Sequence, residues 1–297
     1  MTLTKKQFDI MTHLAENKNE VSQRAIAKAT NMSVGTVNKT LTELRDMELI
    51  SDTTITEKGW QTLENYRVKR AIFIAAGFGS RLAPITFNTP KPLVRVKGKR
   101  IIDSLLDAVT EAGIEEIYLV RGYLWEQFDQ LLYKYPNIKF INNPIYNETN
   151  NISSVHIARD LIRNAYVLEG DLLLYNPKLI KKYQYSTNYL GVPVEKTDDW
   201  CFYTDNNLKI VKMAIGGTDC HHMFGISYWT EKDGEQLAKD VEKVFNSPGG
   251  KERYWDQVAL EYYMDNYSIA CRPCTFDDIT EIDTFNELKA IDSTYKM

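Results

Sequence analysis

Phe8, Ile10, Met11 and Leu14 fall on one face of a chain wound at helical period, and they mark the first predicted element. Ser22 supplies a cap for a second helix, with Ile26 and Ala29 inward, and Asn31-Met32 breaks it. Ser33 caps a third helix, whose apolar stripe is Val37, Leu41 and Leu44. A short strand pair is expected from Ile50 to Ile55, after which Thr56-Glu57-Lys58-Gly59-Trp60 restarts a helix. Beyond residue 70 the pattern changes. Ala71-Ile72-Phe73-Ile74-Ala75-Ala76 is apolar without alternation, which suits a strand buried on both faces. Ile117-Tyr118-Leu119-Val120 and Tyr166-Val167-Leu168 are similar, and helical patterns over Ile101 to Ala112 and Ser153 to Ile162 separate them. Strand and helix in alternation predict a mainly parallel α/β sheet.

The two patterns divide the chain. Residues 1–66 read as a small winged-helix domain, residues 67–70 (Arg-Val-Lys-Arg) as a basic hinge, and residues 71–297 as an α/β domain. The expected fold of the larger part is a Rossmann-like, mostly parallel mixed sheet with flanking helices. In the smaller part, the order helix, short turn, helix, wing is that of a winged helix-turn-helix. The stretch from Val21 to Leu44 resembles the MarR-like winged-helix group. Leu49-Ile50 and Thr56-Glu57-Lys58-Gly59 resemble that group's wing and following helix.

Composition narrows the partners. With 297 residues and 43% hydrophobic content the chain can build a small domain and a large one. A formal net charge of −4 gives no global basic field to hold a polyanion, though a few placed cations suffice for a small anionic substrate. The amino-terminal stretch lacks a secretory h-region, and no run approaches the roughly 18 apolar residues a membrane helix needs. A cytoplasmic protein without a membrane partner is expected. Cys271-Arg-Pro-Cys274 lacks a second ligand pair for zinc, so Cys201, Cys220, Cys271 and Cys274 read as reduced structural thiols.

The first buried strand runs into Ala75-Ala76-Gly77-Phe78-Gly79-Ser80-Arg81-Leu82. Glycines let the backbone approach closely, so loop N–H groups can reach phosphate oxygens. The third glycine of a dinucleotide fingerprint is absent, as is the Gly-Lys-Ser/Thr of a Walker loop. The continuation is more specific: Arg81-Leu82, Pro84, Thr86, then Pro90-Lys91-Pro92-Leu93. The whole string resembles the signature of nucleotidyltransferases that activate sugar phosphates and related alcohols. The resemblance implies nucleotide contacts from Ala76, Gly77, Gly79, Ser80 and Arg81, with Arg81 and Lys91 neutralising the triphosphate. It also implies a Mg²⁺ ion held by Asp171, read as the end of the buried strand, and by Asp283.

Further segments resemble bacterial CTP:phosphocholine cytidylyltransferases of the LicC type: Val120 to Phe128, Asn150-Asn151 with Ser154, Gly225 to Trp229, Tyr254-Trp255-Asp256 and Glu281-Ile282-Asp283. The resemblance implies CTP and phosphocholine as substrates, with phosphoethanolamine, an aminoalkylphosphonate or a sugar 1-phosphate as alternative acceptors. Asn150 and Ser154 are expected at the nucleobase, helix capping being the plainer reading of Ser154. A quaternary ammonium is held by aromatic faces and a carboxylate. Trp200, Tyr254, Trp255 and Asp256 could supply them, and the resemblance places Trp200 in the choline pocket. The acceptor phosphate is already ionised, so Arg81, Lys91 and Asp171 are the expected catalytic residues, and His156, His221 and His222 read as structural.

These resembling enzymes start at the catalytic strand, so the winged helix is an addition. One reading has it bind DNA through the helix from Ser33 to Met47, offering Ser33, Thr36, Asn38, Lys39, Thr40 and Arg45. Another makes it a packing or dimerisation module, since winged-helix domains often pair as homodimers. Charge does not favour DNA: eight Lys/Arg face nine Asp/Glu in residues 1–66. A third reading, a regulator whose transferase domain only senses nucleotide, sits poorly with a complete loop and both aspartates.

Overall fold

The computed structural model describes residues 2–17 and 22–296. Val21, where the winged-helix resemblance begins, and Lys18 and Glu20 of the charge balance lie outside the described residues. The chain packs as two units, Met1–Arg67 with Tyr183–Tyr185, and Val68–Lys182 with Ser186–Met297.

The first unit contains α1 (Lys5–Glu16), α2 (Gln23–Thr30), α3 (Val34–Asp46), β1 (Ile50–Ser51), β2 (Thr54–Ile55) and α4 (Glu57–Glu64). Its starts are fixed by side-chain caps. Thr4 and Gln7 form a capping box at α1, and Ser22, Ser33 and Thr56 accept backbone N–H groups at α2, α3 and α4. Asn31 ends α2 in the left-handed conformation. Phe8, Ile10, Met11, Ile26, Val37, Leu41 and Leu44 close over one core, which also takes in Tyr183.

In the second unit β3 (Arg70–Ala75) is followed by β4 (Arg95–Val96), β5 (Lys99–Arg100), α5 (Asp103–Glu111), β6 (Glu116–Arg121), β7 (Ile138–Asn142) and α6 (Ile152–Ala158). Then come β8 (Ala165–Glu169), β9 (Leu172–Leu174), β10 (Asn188–Thr204), β11 (Ile210–Trp229), α7 (Glu231–Phe245), β12 (Ala270–Pro273), β13 (Ile279–Glu281) and α8 (Phe285–Ile291). The main sheet has the order β12-β10-β11-β8-β3-β6-β7. It is parallel from β7 through β6 and β3 to β8, and β11 enters antiparallel.

Strand β3 shows why its sequence lacks alternation. Ala71, Phe73 and Ala75 join the core under α5, while Ile72 and Ile74 join the core under α6 and α7. Both faces are covered, so every position from Ala71 to Ala75 is apolar. Residues 67–70, expected as a hinge, carry ordered backbone bonds: the Val68 and Lys69 N–H groups donate to the Lys182 and Asn164 carbonyls, and Arg70 opens β3. All four cysteines are buried free thiols. Among the described residues, no helix is long and apolar enough to cross a membrane.

Candidate active site

A cleft of about 670 Å³ opens at the carboxyl edge of the parallel strands. Ala76, Gly77, Asn150, Ser154, Glu169, Asp171, Trp200, Tyr254, Asp256 and Asp283 are all on its wall. A smaller cavity of about 230 Å³ shares part of this lining and adds Gly79, Ser80 and Lys91. The loop after β3 turns at Gly79, whose φ of +63° favours glycine, and a Cβ there would lie 2.8 Å from the Lys91 Cβ. Thr86 Oγ1 donates to the Gly79 carbonyl at 2.9 Å, tying the loop to the segment that carries Lys91.

Lys91 is 7% exposed and spans two carboxylates. Its Nζ donates to Asp171 Oδ2 at 2.6 Å and to Asp283 Oδ1 at 2.9 Å. Arg81 Nη2 donates to the same Asp283 oxygen at 2.7 Å. Burial would depress the Lys91 ammonium, but Asp171 and Asp283 outweigh it and hold its pKa above the usual lysine value. Asp283 is pushed up by burial and pulled down more strongly by Lys91 and Arg81, leaving it below the ordinary carboxylate range.

Asp171 does not end the strand as expected. Strand β8 stops at Glu169, the Gly170 N–H donates to the Ile74 carbonyl at 3.1 Å, and Asp171 follows that turn. Asp283 comes from the other side, after β13, which pairs antiparallel with β9. A capping box between Thr284 and Glu287 starts α8, and Glu287 also accepts the Asp283 N–H at 2.7 Å, which fixes that residue. Two Glu-x-Asp segments, Glu169-Gly170-Asp171 and Glu281-Ile282-Asp283, thus converge from distant parts of the chain. Ligand atoms of Glu169, Asp171 and Glu281 lie within 4.8 Å of one another. Burial, then Asp171, raises the pKa of both glutamates well above the usual value. Asp171 Oδ1 is buried and has no hydrogen-bond partner. An orphaned carboxylate oxygen among further carboxylates fits a hard divalent cation.

The far end of the cleft is built by the long β10–β11 hairpin and by the segment after α7. Trp200, with Asp199, comes from the hairpin, and meets Tyr254 edge to face at 5.6 Å. Asp256 is buried and accepts the Tyr189 hydroxyl at 2.9 Å. Burial pushes its carboxyl up to about 7. Trp255 corrects the sequence reading: it is 1% exposed and is not part of the cleft wall, unlike Tyr254 and Asp256 on either side of it. Its ring stacks on Tyr189 and meets Trp229 edge on, each at 6.1 Å, so its apolar bulk fills the core between two cleft residues.

Asn150 and Ser154 line the cleft with their polar groups already engaged. Asn150 Nδ2 donates to the Glu252 carbonyl at 3.2 Å, and the Ser154 hydroxyl accepts Asn143 Nδ2 at 3.1 Å. Ser154 is not a cap, because it sits inside α6 after Asn151.

On the winged unit, Ser33 accepts the Thr36 N–H and shares a hydrogen bond with the Thr36 hydroxyl. Both side chains are thus engaged in starting α3. Asn38 and Lys39 are exposed. Thr40, expected to face outward, is buried in the helix's inner face, and Arg45 Nε donates to the Asp52 carbonyl.

Residues 70–189 match the nucleotidyl transferase family model, and residues 3–51 match that of a winged helix-turn-helix DNA-binding domain. A 2-aminoethylphosphonate cytidylyltransferase of Lancefieldella rimae is 34% identical over 234 residues, which are 78% of this chain and 95% of that one. The chain belongs to the cytidylyltransferases of the nucleotidyl transferase family. A choline-phosphate cytidylyltransferase of Haemophilus influenzae is 30% identical to it, over 73% of this chain and 93% of the relative. In the structure of CTP:phosphocholine cytidylyltransferase from Streptococcus pneumoniae (LicC), 99% of the chain aligns with 77% of this one, at a TM-score of 0.71 and 28% identity. The LicC-like resemblance therefore widens to a family with phosphonate and choline-phosphate members.

Sequence reasoning missed several cleft residues of this transferase. No role is assigned to Glu169 or Glu281 from the sequence; the repeated Glu-x-Asp spacing is the available signal. Asn143, which holds Ser153 and Ser154 at the floor of the cleft, carried no signal, because nothing local marks a buried asparagine.

Proposed function

We propose that this transferase moves a cytidylyl group from CTP to the phosphoryl oxygen of 2-aminoethylphosphonate, with Mg²⁺ and release of pyrophosphate. The observation that carries the acceptor is the far end of the cleft. With Trp255 in the core, two aromatic rings remain there beside the carboxylates of Asp199 and Asp256. A primary ammonium has N–H donors for such carboxylates, whereas a quaternary one has none. The Lancefieldella rimae relative supports the same acceptor. The Trp200–Tyr254 corner favours phosphocholine as the second reading.

In this reading the 76–80 backbone and Arg81 hold the β- and γ-phosphates, and Arg81 leaves Asp283 to do so. Lys91 sits beneath the loop and neutralises charge near the α-phosphate. Asp171 and Asp283 would hold the cation. Mg²⁺, when bound, offsets charge on the reacting phosphates. An ionised acceptor oxygen forms the new bond to the α-phosphorus in line, and the bond to the β-phosphate oxygen breaks with its electron pair leaving on pyrophosphate. No base is needed, because the acceptor oxygen carries no proton to remove.

The test is pyrophosphate release with each nucleoside triphosphate against 2-aminoethylphosphonate, phosphocholine and phosphoethanolamine. Release with CTP and the phosphonate, at the highest kcat/KM of the set, is expected. A preference for phosphocholine would replace the primary-amine reading with the aromatic one. For the winged unit, the family match supports DNA binding, for which α3 offers the exposed Asn38 and Lys39. Titration of labelled duplex DNA at two salt concentrations checks this, and salt-independent or absent binding rejects it.

A further inference from the structure

The part of the hairpin that brings Asp199 and Trp200 to the cleft is irregular. Thr197 pairs with Gly217 and Trp200 with Ile215, so two residues of β10, Asp198 and Asp199, stand opposite one of β11, Gly216. Gly216 takes a φ of +72°, which favours glycine, and β10 bulges there. A bulge re-aims the side chains it carries, so what holds it decides where they point. Here the hold is a chain of hydrogen bonds. Asp199 Oδ1 accepts the Trp200 N–H at 2.7 Å, and Thr197 Oγ1 accepts the Asp199 N–H at 3.2 Å. The Thr197 hydroxyl in turn lies 3.0 Å from His222 Nδ1. Burial lowers the His222 pKa, so its ring is neutral near neutral pH. A neutral ring with its proton on Nε2 accepts the Thr197 O–H at Nδ1, which leaves the Thr197 lone pairs for the Asp199 N–H. The chain has a firm base. The His222 ring meets Phe224 edge to face at 5.2 Å and Phe276 at 5.6 Å. Gly217, opposite Thr197, has no room for a side chain, since a Cβ there would lie 2.6 Å from the Tyr203 hydroxyl. Asp199 and Trp200 are on the cleft wall, whereas Thr197 and His222 stand outside it.

We infer that His222 and Thr197 are positioning residues for the acceptor: His222 fixes the Thr197 hydroxyl, Thr197 fixes the backbone of Asp199, and the pair thereby sets the Asp199 carboxylate and the Trp200 ring that receive the acceptor's amine. The inference rests on the acceptor end proposed above and adds to it the residues that shape it from behind. It gives His222, which reads as structural from the sequence, a part in acceptor selection. With Asp199 Oδ1 taken by the Trp200 N–H, Oδ2 is the oxygen left for an ammonium.

The experiment measures KM for the acceptor and for CTP separately, by pyrophosphate release from the full chain, with a thermal melt of each variant. Thr197→Val keeps the shape and removes the hydroxyl. It is expected to raise the acceptor KM about five- to ten-fold, the worth of one hydrogen bond, with the CTP KM unchanged. Thr197→Ser, which restores the hydroxyl, should return the acceptor KM to that of the parent. His222→Phe keeps a ring against Phe224 and Phe276 and should match Thr197→Val, whereas His222→Asn, which puts an amide oxygen in place of Nδ1, should recover part of the loss. The double variant Thr197→Val/His222→Phe should be no worse than Thr197→Val alone, because both act through one chain of contacts. An unchanged acceptor KM in Thr197→Val and His222→Phe overturns the inference and leaves the proposed function standing. Equal rises in both KM values, or additive losses in the double variant, also overturn it. Should His222→Phe melt early, Thr197→Val and its serine rescue decide. A parent that prefers phosphocholine changes the acceptor, and the same variants are then read with phosphocholine. A parent silent with all three acceptors overturns the proposed function, and the inference with it.

Discussion

Lys91 Nζ stands 2.6 Å from Asp171 Oδ2, a buried cation joining the loop segment of residues 90–93 to the turn after β8. The contact ties the side of the cleft formed by the loop after β3 to its acidic side. Lys91→Ala removes the cation and leaves two aspartates facing each other. We expect kcat/KM to fall by about a hundred- to a thousand-fold, the range for a lost electrostatic donor. Stability should drop by about 3 kcal/mol in metal-free buffer, because breaking a buried pair strands its partner. Pyrophosphate release and urea unfolding measure the two effects. Asp171→Ala should abolish turnover while the protein stays folded.

Substitutions at Trp200 and Trp255 should separate acceptor binding from packing. Trp255→Ala opens a hole beside Tyr189 and Trp229 and should cost about 3–5 kcal/mol by urea unfolding. Trp200→Ala should leave the unfolding midpoint nearly unchanged and raise the acceptor KM, with the KM for CTP unaffected. Equal destabilisation by both variants would place Trp200 in the core as well.

Asp256 should make the acceptor step pH-dependent under the proposed function. Burial raises its carboxyl to about 7, so the ionised form that would hold an ammonium is present only above that pH. The acceptor KM should fall as pH rises through about 7, and Asp256→Asn should flatten the profile at a high KM. Stability runs the other way. A folded-state pKa above the unfolded one means the native state holds the proton more tightly. Stability is then undiminished below the unfolded value and declines as pH rises toward about 7. At pH 8, Asp256→Asn should therefore be more stable than the parent, by on the order of 2–4 kcal/mol if Tyr189 keeps its bond. Urea unfolding at pH 5 and pH 8 reads the sign.

The winged unit should not fold well from residues 1–67 alone. Tyr185 stacks on Tyr66 at 5.9 Å, lies 5.3 Å from Phe8 and donates its hydroxyl to the Leu3 carbonyl. A fragment ending at residue 67 lacks that ring and the buried Tyr183. Its far-ultraviolet circular dichroism should show reduced helix and a broad melt. In the full chain, Tyr185→Ala should lower the unit's stability by about 3 kcal/mol. A fully cooperative fragment would show that α1 to α4 suffice.

The elements of this enzyme were written locally. Helix caps at Ser22, Ser33 and Thr56 and the unbroken apolar run of β3 depend on neighbours a few residues away, and periodicity reports them directly. The turn after β3 was equally legible, because Gly79 meets Lys91 within one short segment and the spacing carries the geometry. Only the tertiary structure decided what meets across distance. It brought Glu169-x-Asp171 against Glu281-x-Asp283 through the pairing of β9 with β13, put Trp255 in the core between two cleft neighbours, and packed Tyr185 on Tyr66. Those choices turn on which face a side chain takes once sheets and loops close. Burial and charge then set the properties of each group, and neither quantity exists for a residue until the fold surrounds it.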